Sequence, residues 1–454
     1  MHCKMSGTAE GNALPGARAR ARLGSRLGFL MLAAGCAVGL GNVWRFPFVV
    51  GQNGGAAFVV VYLAFLVLLG FPLLTAELAL GRAARLGISG AMRSLAAERY
   101  RRFWSVVGKV VFAGNFLVMI YYTDVAGWLF KYSGDYLRGV GPVDFGSLVA
   151  DHATCTGYLA LAVAAATAIC MLGVRNGVER ITKGMMIALL ALLGVLAAKA
   201  LTLPGAAEGL RFYLAPDWAR FAAHPWRATF DAMGQAFFTL SAGVGCMTIF
   251  GSYIGRERSL ASEAVWIISI DTFVAVLAGL VVFPACASFG VDVTSGPGLI
   301  FVALPNVFAH MAGGRAWGFV FFLFLSLAAL TTIVAVFECI IGGLTDELGR
   351  SRRAVAMSVG AALMACSLPT VLFEPVLGWE YFVFGQFWLP LGALMICVFA
   401  TRRAGWGYAP FEEEASAGEG MRFPAVFGAL MKVFVPLLIL ATMVAGVVTW
   451  IRQG

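Results

Sequence analysis

The sequence predicts an all-α membrane protein with eleven transmembrane helices, and three observations predict it. Hydrophobic residues make up 60% of the 454-residue chain and charged residues only 13%, about half the roughly 25% usual for a soluble domain. The apolar residues fall into runs, each near the ~20 residues that cross a bilayer. Between the runs sit short Arg and Lys clusters, the pattern that sets orientation in a membrane. A water-soluble globule is excluded. The net charge of +9 does not imply nucleic acid, because the basic clusters alternate with apolar runs; the expected partner is the lipid bilayer. The first 22 residues are polar and Arg-rich, and the first apolar run is too long for a signal h-region, so no cleavable signal is expected. The nine cysteines form no CxxC pair and read as small apolar fillers, without a metal cluster or disulfide framework.

The spans are expected at Leu27–Val50, Ala56–Leu80, Val106–Tyr132, Cys155–Leu172, Gly184–Leu203, Thr229–Tyr253, Ala261–Phe283, Trp317–Leu344, Ala354–Phe373, Tyr381–Thr401 and Phe423–Trp450. Gly296–Gly313 is too broken by Gly and Pro to cross, and reads as a loop with short helical pieces. Residues 1–26 form an N-terminal tail and residues 27–450 a single transmembrane domain. With the tail cytoplasmic, the clusters Arg18–Arg26, Arg82–Lys109, Arg175–Lys183, Arg256–Arg258, Arg350–Arg353 and Arg402–Arg422 all lie inside. That satisfies the positive-inside rule for a plasma-membrane (inner-membrane) protein and leaves the C-terminus outside. Glu412–Glu414 reads as a solvated linker in the last inner loop.

Two spans break the rules for a lipid-crossing helix. Span 1 carries Gly39-Leu40-Gly41-Asn42, and span 6 carries Thr239-Leu240-Ser241-Ala242-Gly243-Val244-Gly245. A lone GxG is weak evidence, since glycine commonly packs membrane helices. Two such breaks, each amid polar residues and five spans apart, fit a duplicated five-helix unit with repeats at 27–203 and 229–401 plus an extra helix at 423–450. Unwinding frees N–H groups where a carboxylate can dock, and C=O groups where a small cation or ammonium can dock. Thr331 and Thr332 of span 8 add paired hydroxyls suited to an alkali cation, although threonines often bond back to their own helix. Charges at membrane depth, which usually face a bundle interior, are Arg45, Glu77, Asp124, Asp271 and Glu338.

These residues resemble the neurotransmitter:sodium symporters, especially the bacterial amino-acid members. The resemblance rests on AVGLGNVWRFPF at residues 37–48, NGG at Asn53–Gly55, Glu77 with Gly81-Arg82, QAFFTLSAGVG at residues 235–245 and DEL at Asp346–Leu348. It covers nearly the whole chain and implies the leucine-transporter fold: a 5+5 inverted repeat with broken helices 1 and 6, here in an eleven-helix variant. It further implies two sodium ions and no organic cofactor. One sodium site would use the Ala37 carbonyl, Asn42, Thr239 and Asp271. The other would use carbonyls of Gly35, Val38 and Ala328 with hydroxyls of Thr331 and Thr332. The substrate carboxylate would meet N–H groups of Leu40 and Gly41 and the Tyr122 hydroxyl, and its ammonium would meet carbonyls near Phe237 and Ser241. Val118, Val125, Phe238, Val244 and Val336 would line the side-chain pocket.

The resemblance also implies a substrate class. Family members that carry amines place an Asp where this chain has Gly39, so the substrate is expected to bring its own carboxylate. Small valines imply room for a branched or aromatic tail. Tyr62, Gln235 and Thr239 match a chloride shell, but Asp271 replaces a neutral Asn and Ala275 a hydroxyl. A fixed carboxylate then stands in for chloride, and the same Asp could exchange a proton for sodium. Arg45 is expected in the outer gate; with Tyr381 in the register of the usual acidic partner and Glu380 one residue earlier, the gate is either water-bridged or closed by Glu380 through a shifted helix. Arg20 and Asp346 match the inner ion pair. Trp44 and Pro47 take no role beyond packing and a local bend. The expected function is sodium-coupled uptake of a neutral L-amino acid; a sensor or substrate-gated channel of the same fold is the alternative. No enzyme motif is present: there is no HExxH, Ser/His pair or phosphate loop. No oligomeric state is implied.

Overall fold

The computed structural model describes residues 22–141, 144–293 and 298–453. Its spans follow the expected order. Span 1 is Arg26–Ala37 plus Gly41–Gln52, two helices bent by 55° at the break. Spans 2 to 5 are Ala56–Ala84, Glu98–Arg138, His152–Met171 and Val174–Ala200. Span 6 is again in two pieces, Pro225–Thr239 and Cys246–Gly251. Spans 7 to 11 are Leu260–Phe289, Gly314–Leu348, Arg352–Leu372, Pro375–Thr401 and Val426–Val448. The interruptions therefore fall in spans 1 and 6, as the glycine pattern predicts. The broken segment before span 8 contains a short helix, Leu299–His310.

Several helices outrun the apolar runs that predict them. Span 3 begins before Val106 and ends past Tyr132; spans 7 and 8 also extend outward. Apolarity marks only the lipid-facing length, whereas backbone hydrogen bonding continues until something stops it. The stops are glycines in the left-handed conformation: Gly139, Gly290 and Gly349 cap spans 3, 7 and 8 at φ 76°, 65° and 63°.

Proline explains a second feature. One wide π-type turn, Val174–Glu179, has no proline at its end; the other five among the described residues end at Arg45, Gly70, Ala303, Trp388 and Phe434. In each case one residue follows and then a proline: Pro47, Pro72, Pro305, Pro390 and Pro436. Proline offers no N–H and its ring collides with the carbonyl four residues back, so the preceding turn widens to make room. Pro47 thus shapes the turn Gly41–Arg45 that follows the span 1 break.

The span 6 break needs support, because lipid offers its freed backbone groups no partner. Glu77 of span 2 supplies it. This fully buried carboxylate accepts from Gly243 N at 2.6 Å and from Met247 N at 3.2 Å. Asn115 of span 3 donates to Val244 O at 2.8 Å. Gly243 takes φ 111°, and a Cβ there would lie 2.2 Å from the Leu389 carbonyl, so only glycine fits between spans 6 and 10.

The inner face corrects one expectation. Glu412–Glu414 is not a solvated linker: it lies in a loop helix, Tyr408–Ser416, and Glu414 is 4% exposed. Glu414 accepts from Arg82 Nε at 2.6 Å and also pairs with Arg256. Arg82 also donates to Arg258 O at 2.7 Å. The loop helix is thereby clamped to span 2 and to the span 6–7 connection. Glu338 likewise has a structural role, pairing with Arg352 and accepting from Tyr253 Oη at 2.5 Å.

Glu77→Gln keeps the shape but turns one acceptor into a donor facing a backbone N–H. It should lower folding stability by about 1–3 kcal/mol. Thermal unfolding of the purified protein checks this; an unchanged transition would show that the span 6 break does not depend on Glu77.

Candidate functional site

The two breaks meet near mid-depth. In span 1, Leu40 N donates to Tyr122 Oη of span 3 at 3.2 Å, and Gly39 N to Asn42 Oδ1 at 3.4 Å. The Gly41 carbonyl accepts from Gln235 Nε2 of span 6 at 3.2 Å. A Cβ on Gly39 would lie 2.6 Å from Tyr122 Oη and 2.8 Å from Thr332 Oγ1. Glycine there is what lets spans 3 and 8 approach the break. In span 6, Ser241 adopts φ 49°, a conformation uncommon outside glycine, and its hydroxyl lies 3.5 Å from the Cys36 carbonyl.

Two groups of oxygens surround this junction. In the first, Asp271 of span 7 is 0% exposed. One carboxylate oxygen accepts from Asn42 Nδ2 and the other from Thr239 Oγ1, each at 2.8 Å. A buried charge flanked by neutral donors suits a small cation nearby. Tyr62 and Gln235 belong to the same neighbourhood: the Tyr62 hydroxyl is buried without a hydrogen-bond partner, and Gln235 bridges Gly41 to Arg45. In the second group, Thr332 Oγ1 reaches the carbonyls of Gly35, Val38 and Ala328 at 3.2, 3.3 and 3.3 Å. Thr331 Oγ1 donates to Ala328 O at 2.9 Å. This assembly of hard neutral oxygens joins spans 1 and 8 and fits a monovalent cation.

A cavity opens between the breaks. Ala37, Gly41, Val118, Tyr122, Phe238 and Ser241 line it, as do Val244, Thr332 and Val336. Sequence reasoning missed three lining residues: Cys36 on span 1 and Phe384 and Leu389 on span 10. Cys36 reads as filler, and the span 10 pair reads as ordinary apolar span. Their one signal is Pro390, which widens the turn Val383–Trp388 between them. Val125 and Phe237 are buried but lie outside the lining. Phe237 O instead accepts from Ala242 N at 3.3 Å, within the span 6 turn.

The outer gate differs from expectation. Arg45 does not pair with Glu380, whose oxygens accept from Thr370 Oγ1 at 2.8 and 3.1 Å. Arg45 donates to Gln235 Oε1 at 2.9 Å and lies 5.0 Å above the Phe238 ring. Both partners sit on span 6, so Arg45 does not bridge to span 10. The crossing contact is aromatic: Phe238 meets Tyr381, which meets Tyr121 of span 3, each at 6.1 Å between ring centres. The register that places a Tyr at 381 leaves Arg45 no carboxylate there, and Glu380 points to span 9.

At the inner face, Arg20 lies outside the described residues. Asp346 accepts from Gly87 N at 3.2 Å. Two carboxylates not anticipated from sequence hold the inner end of span 1. Glu179 accepts from Gly24 N at 2.7 Å, Ser25 N at 3.1 Å and Ser25 Oγ at 3.0 Å. Glu263 pairs with Arg26 at 2.9 Å.

Gly39→Ala forces the new methyl against two hydroxyls of the site. It should weaken ligand binding at least about tenfold, in line with the loss of more than one kcal/mol-scale contact. Thermal shifts of the purified protein with a panel of neutral L-amino acids in sodium check this against the wild-type chain.

Comparison with known proteins gives one consistent answer. The sequence pattern described as "SNF: Sodium:neurotransmitter symporter family" matches residues 20–140 and 136–453. The uncharacterised sodium-dependent transporter YhdH of Bacillus subtilis (strain 168) is 32% identical over 435 residues, covering 92% of this chain and 95% of that protein. The sodium-dependent serotonin transporter of Drosophila melanogaster is 29% identical over 413 residues, covering 79% and 65%. The crystal structure of MhsT in complex with L-phenylalanine superposes with a TM-score of 0.83 at 33% identity, covering 94% of this chain and all of that one. The chain is thus a sodium-dependent, multi-pass membrane transporter, and it belongs to the sodium:neurotransmitter symporter family.

Proposed function

We propose that this transporter carries a neutral, hydrophobic L-amino acid, branched or aromatic, into the cell together with sodium. The observation that supports the reading most is the cavity at the two breaks. Its walls are apolar, with Val118, Phe238, Val244, Val336, Phe384 and Leu389, and Gly39 and Gly41 of the opened span 1 turn line it beside Tyr122. Gly39 leaves no carboxylate there to meet an amine, so the ligand supplies its own. MhsT, a structural relative, is solved with L-phenylalanine.

Sodium occupies two places in this reading: one beside Asp271, Asn42, Thr239 and the Ala37 carbonyl, and one at the Thr331 and Thr332 shell. Sodium bound at the second shell would tie span 1 to span 8, and so favour one arrangement of the bundle over the other. Asp271 supplies the fixed negative charge near Tyr62 and Gln235, and transport is chloride-independent. The protein sits in the plasma membrane with its N-terminus cytoplasmic and its C-terminus outside.

Uptake of labelled L-phenylalanine and L-leucine into proteoliposomes under an inward sodium gradient tests the function. Accumulation above equilibrium that collapses in potassium is expected. Entry without accumulation would instead mark a conductance, and binding without entry a sensor. Replacing chloride by gluconate should leave the rate unchanged; a collapse would refute the role given to Asp271. In competition, Leu, Tyr and Trp should displace the label better than Ala or Gly, and the reverse order would refute the pocket assignment.

A further inference from the structure

Span 3 presents two different faces. Tyr122 points toward the cavity, where its hydroxyl meets Leu40 N. Residues two apart on a helix are on nearly opposite sides, so Asp124 faces away from the cavity. Tyr121, Asp124 and Trp128 form an i, i+3, i+7 row, buried to 4%, 1% and 5% exposure. Tyr121 Oη and Asp124 Oδ1 are buried without a protein partner, and Trp128 turns toward Cys155. Span 9, which packs on span 3, brings Thr370, which donates to Glu380. Among the described residues no Arg or Lys forms an ion pair with Asp124.

The titratable groups that face Asp124 can be named. Cys155 comes from span 4 and lies beside both Asp124 and Trp128. Glu380 comes from span 10 and acts on Asp124 as a like charge. Tyr121 lies one turn away on span 3, and Thr370 of span 9 meets Glu380. None of these supplies positive charge. An ionised carboxylate that is buried with no donor and no cation carries a desolvation cost of many kcal/mol, whereas the neutral acid carries far less. The chemistry of this place selects a proton.

The location links it to the gate. Tyr121 packs against both Tyr381 and Phe384 at 6.1 Å. Tyr381 makes the aromatic crossing to Phe238, and Phe384 lines the cavity. We propose that Asp124 is a proton-binding site, separate from the Asp271 pocket, whose proton holds the closed contact between span 3 and span 10. Losing the proton leaves an unpaired charge one turn from Tyr121, next to Glu380, and loosens that contact.

Asp124→Asn tests this, because the amide copies the neutral acid and cannot ionise. Thermal unfolding of the purified full chain and sodium-driven uptake are both measured between about pH 6 and about pH 9. In the wild type, both should fall toward alkaline pH, uptake by about fivefold, as expected when one linked proton leaves. In Asp124→Asn, uptake should match the wild type at acid pH, and both measurements should fall less steeply than in the wild type across the range. An alkaline slope equal to that of the wild type in either measurement overturns the proposal. Asp124→Val, similar in width and apolar, should fold and be as pH-insensitive as the Asn variant. If both variants fail to fold, the site requires the ionised carboxylate and the proposal is wrong.

Discussion

The structure depends on one constraint: a helix opened inside the membrane must find partners for its freed backbone groups within the protein. The chain opens two helices, and side chains from other spans meet the breaks. Glu77 takes the N–H groups of Gly243 and Met247, and Asn115 meets Val244 O. Tyr122 takes Leu40 N, while Gln235 caps Gly41 O. Thr332 reaches Gly35 O and Val38 O. Support therefore comes from spans 2, 3, 6 and 8, which fixes their positions around the site. The groups that stabilise the breaks are also those a ligand or ion would engage.

The five charges at membrane depth separate into distinct uses. Glu77 and Glu338 are fully engaged by backbone or by Arg352 and serve the architecture. Asp271 sits between two neutral donors, a setting that leaves its charge available to a cation. Arg45 spreads its charge over Gln235 and the face of Phe238. Among the described residues, Asp124 alone of the five has no hydrogen-bond partner. Burial is common to most of them, and it is the partners that separate structural groups from working ones.

Much of this was legible in the sequence. The glycine pairs at Gly39/Gly41 and Gly243/Gly245 located the breaks because they recur amid polar residues five spans apart, and the paired hydroxyls of Thr331 and Thr332 stood beside small residues in span 8. Other features depended on partners distant in sequence. Glu414 looked solvated because its cluster is acidic and polar, and Arg82, more than 300 residues away, is what buries it. Phe384 and Leu389 carried no sign of lining a cavity, since an apolar residue reads alike toward lipid or ligand. Helix lengths were underestimated where glycine caps, and not apolarity, set the end. The wide turns before prolines could have been read from the sequence, had each mid-span proline been taken as a constraint on the turn before it.

The central claim is that the two breaks together form the site for amino acid and sodium. An experimental structure with L-phenylalanine and sodium bound tests it most directly. The account predicts the carboxylate within hydrogen-bond distance of Leu40 N and Gly41 N, the ring among Val118, Phe238, Val244 and Phe384, and sodium density at Asp271 and at Thr331 and Thr332. An amino acid lodged outside the cavity, or one bound there with neither oxygen shell holding an ion, would contradict it.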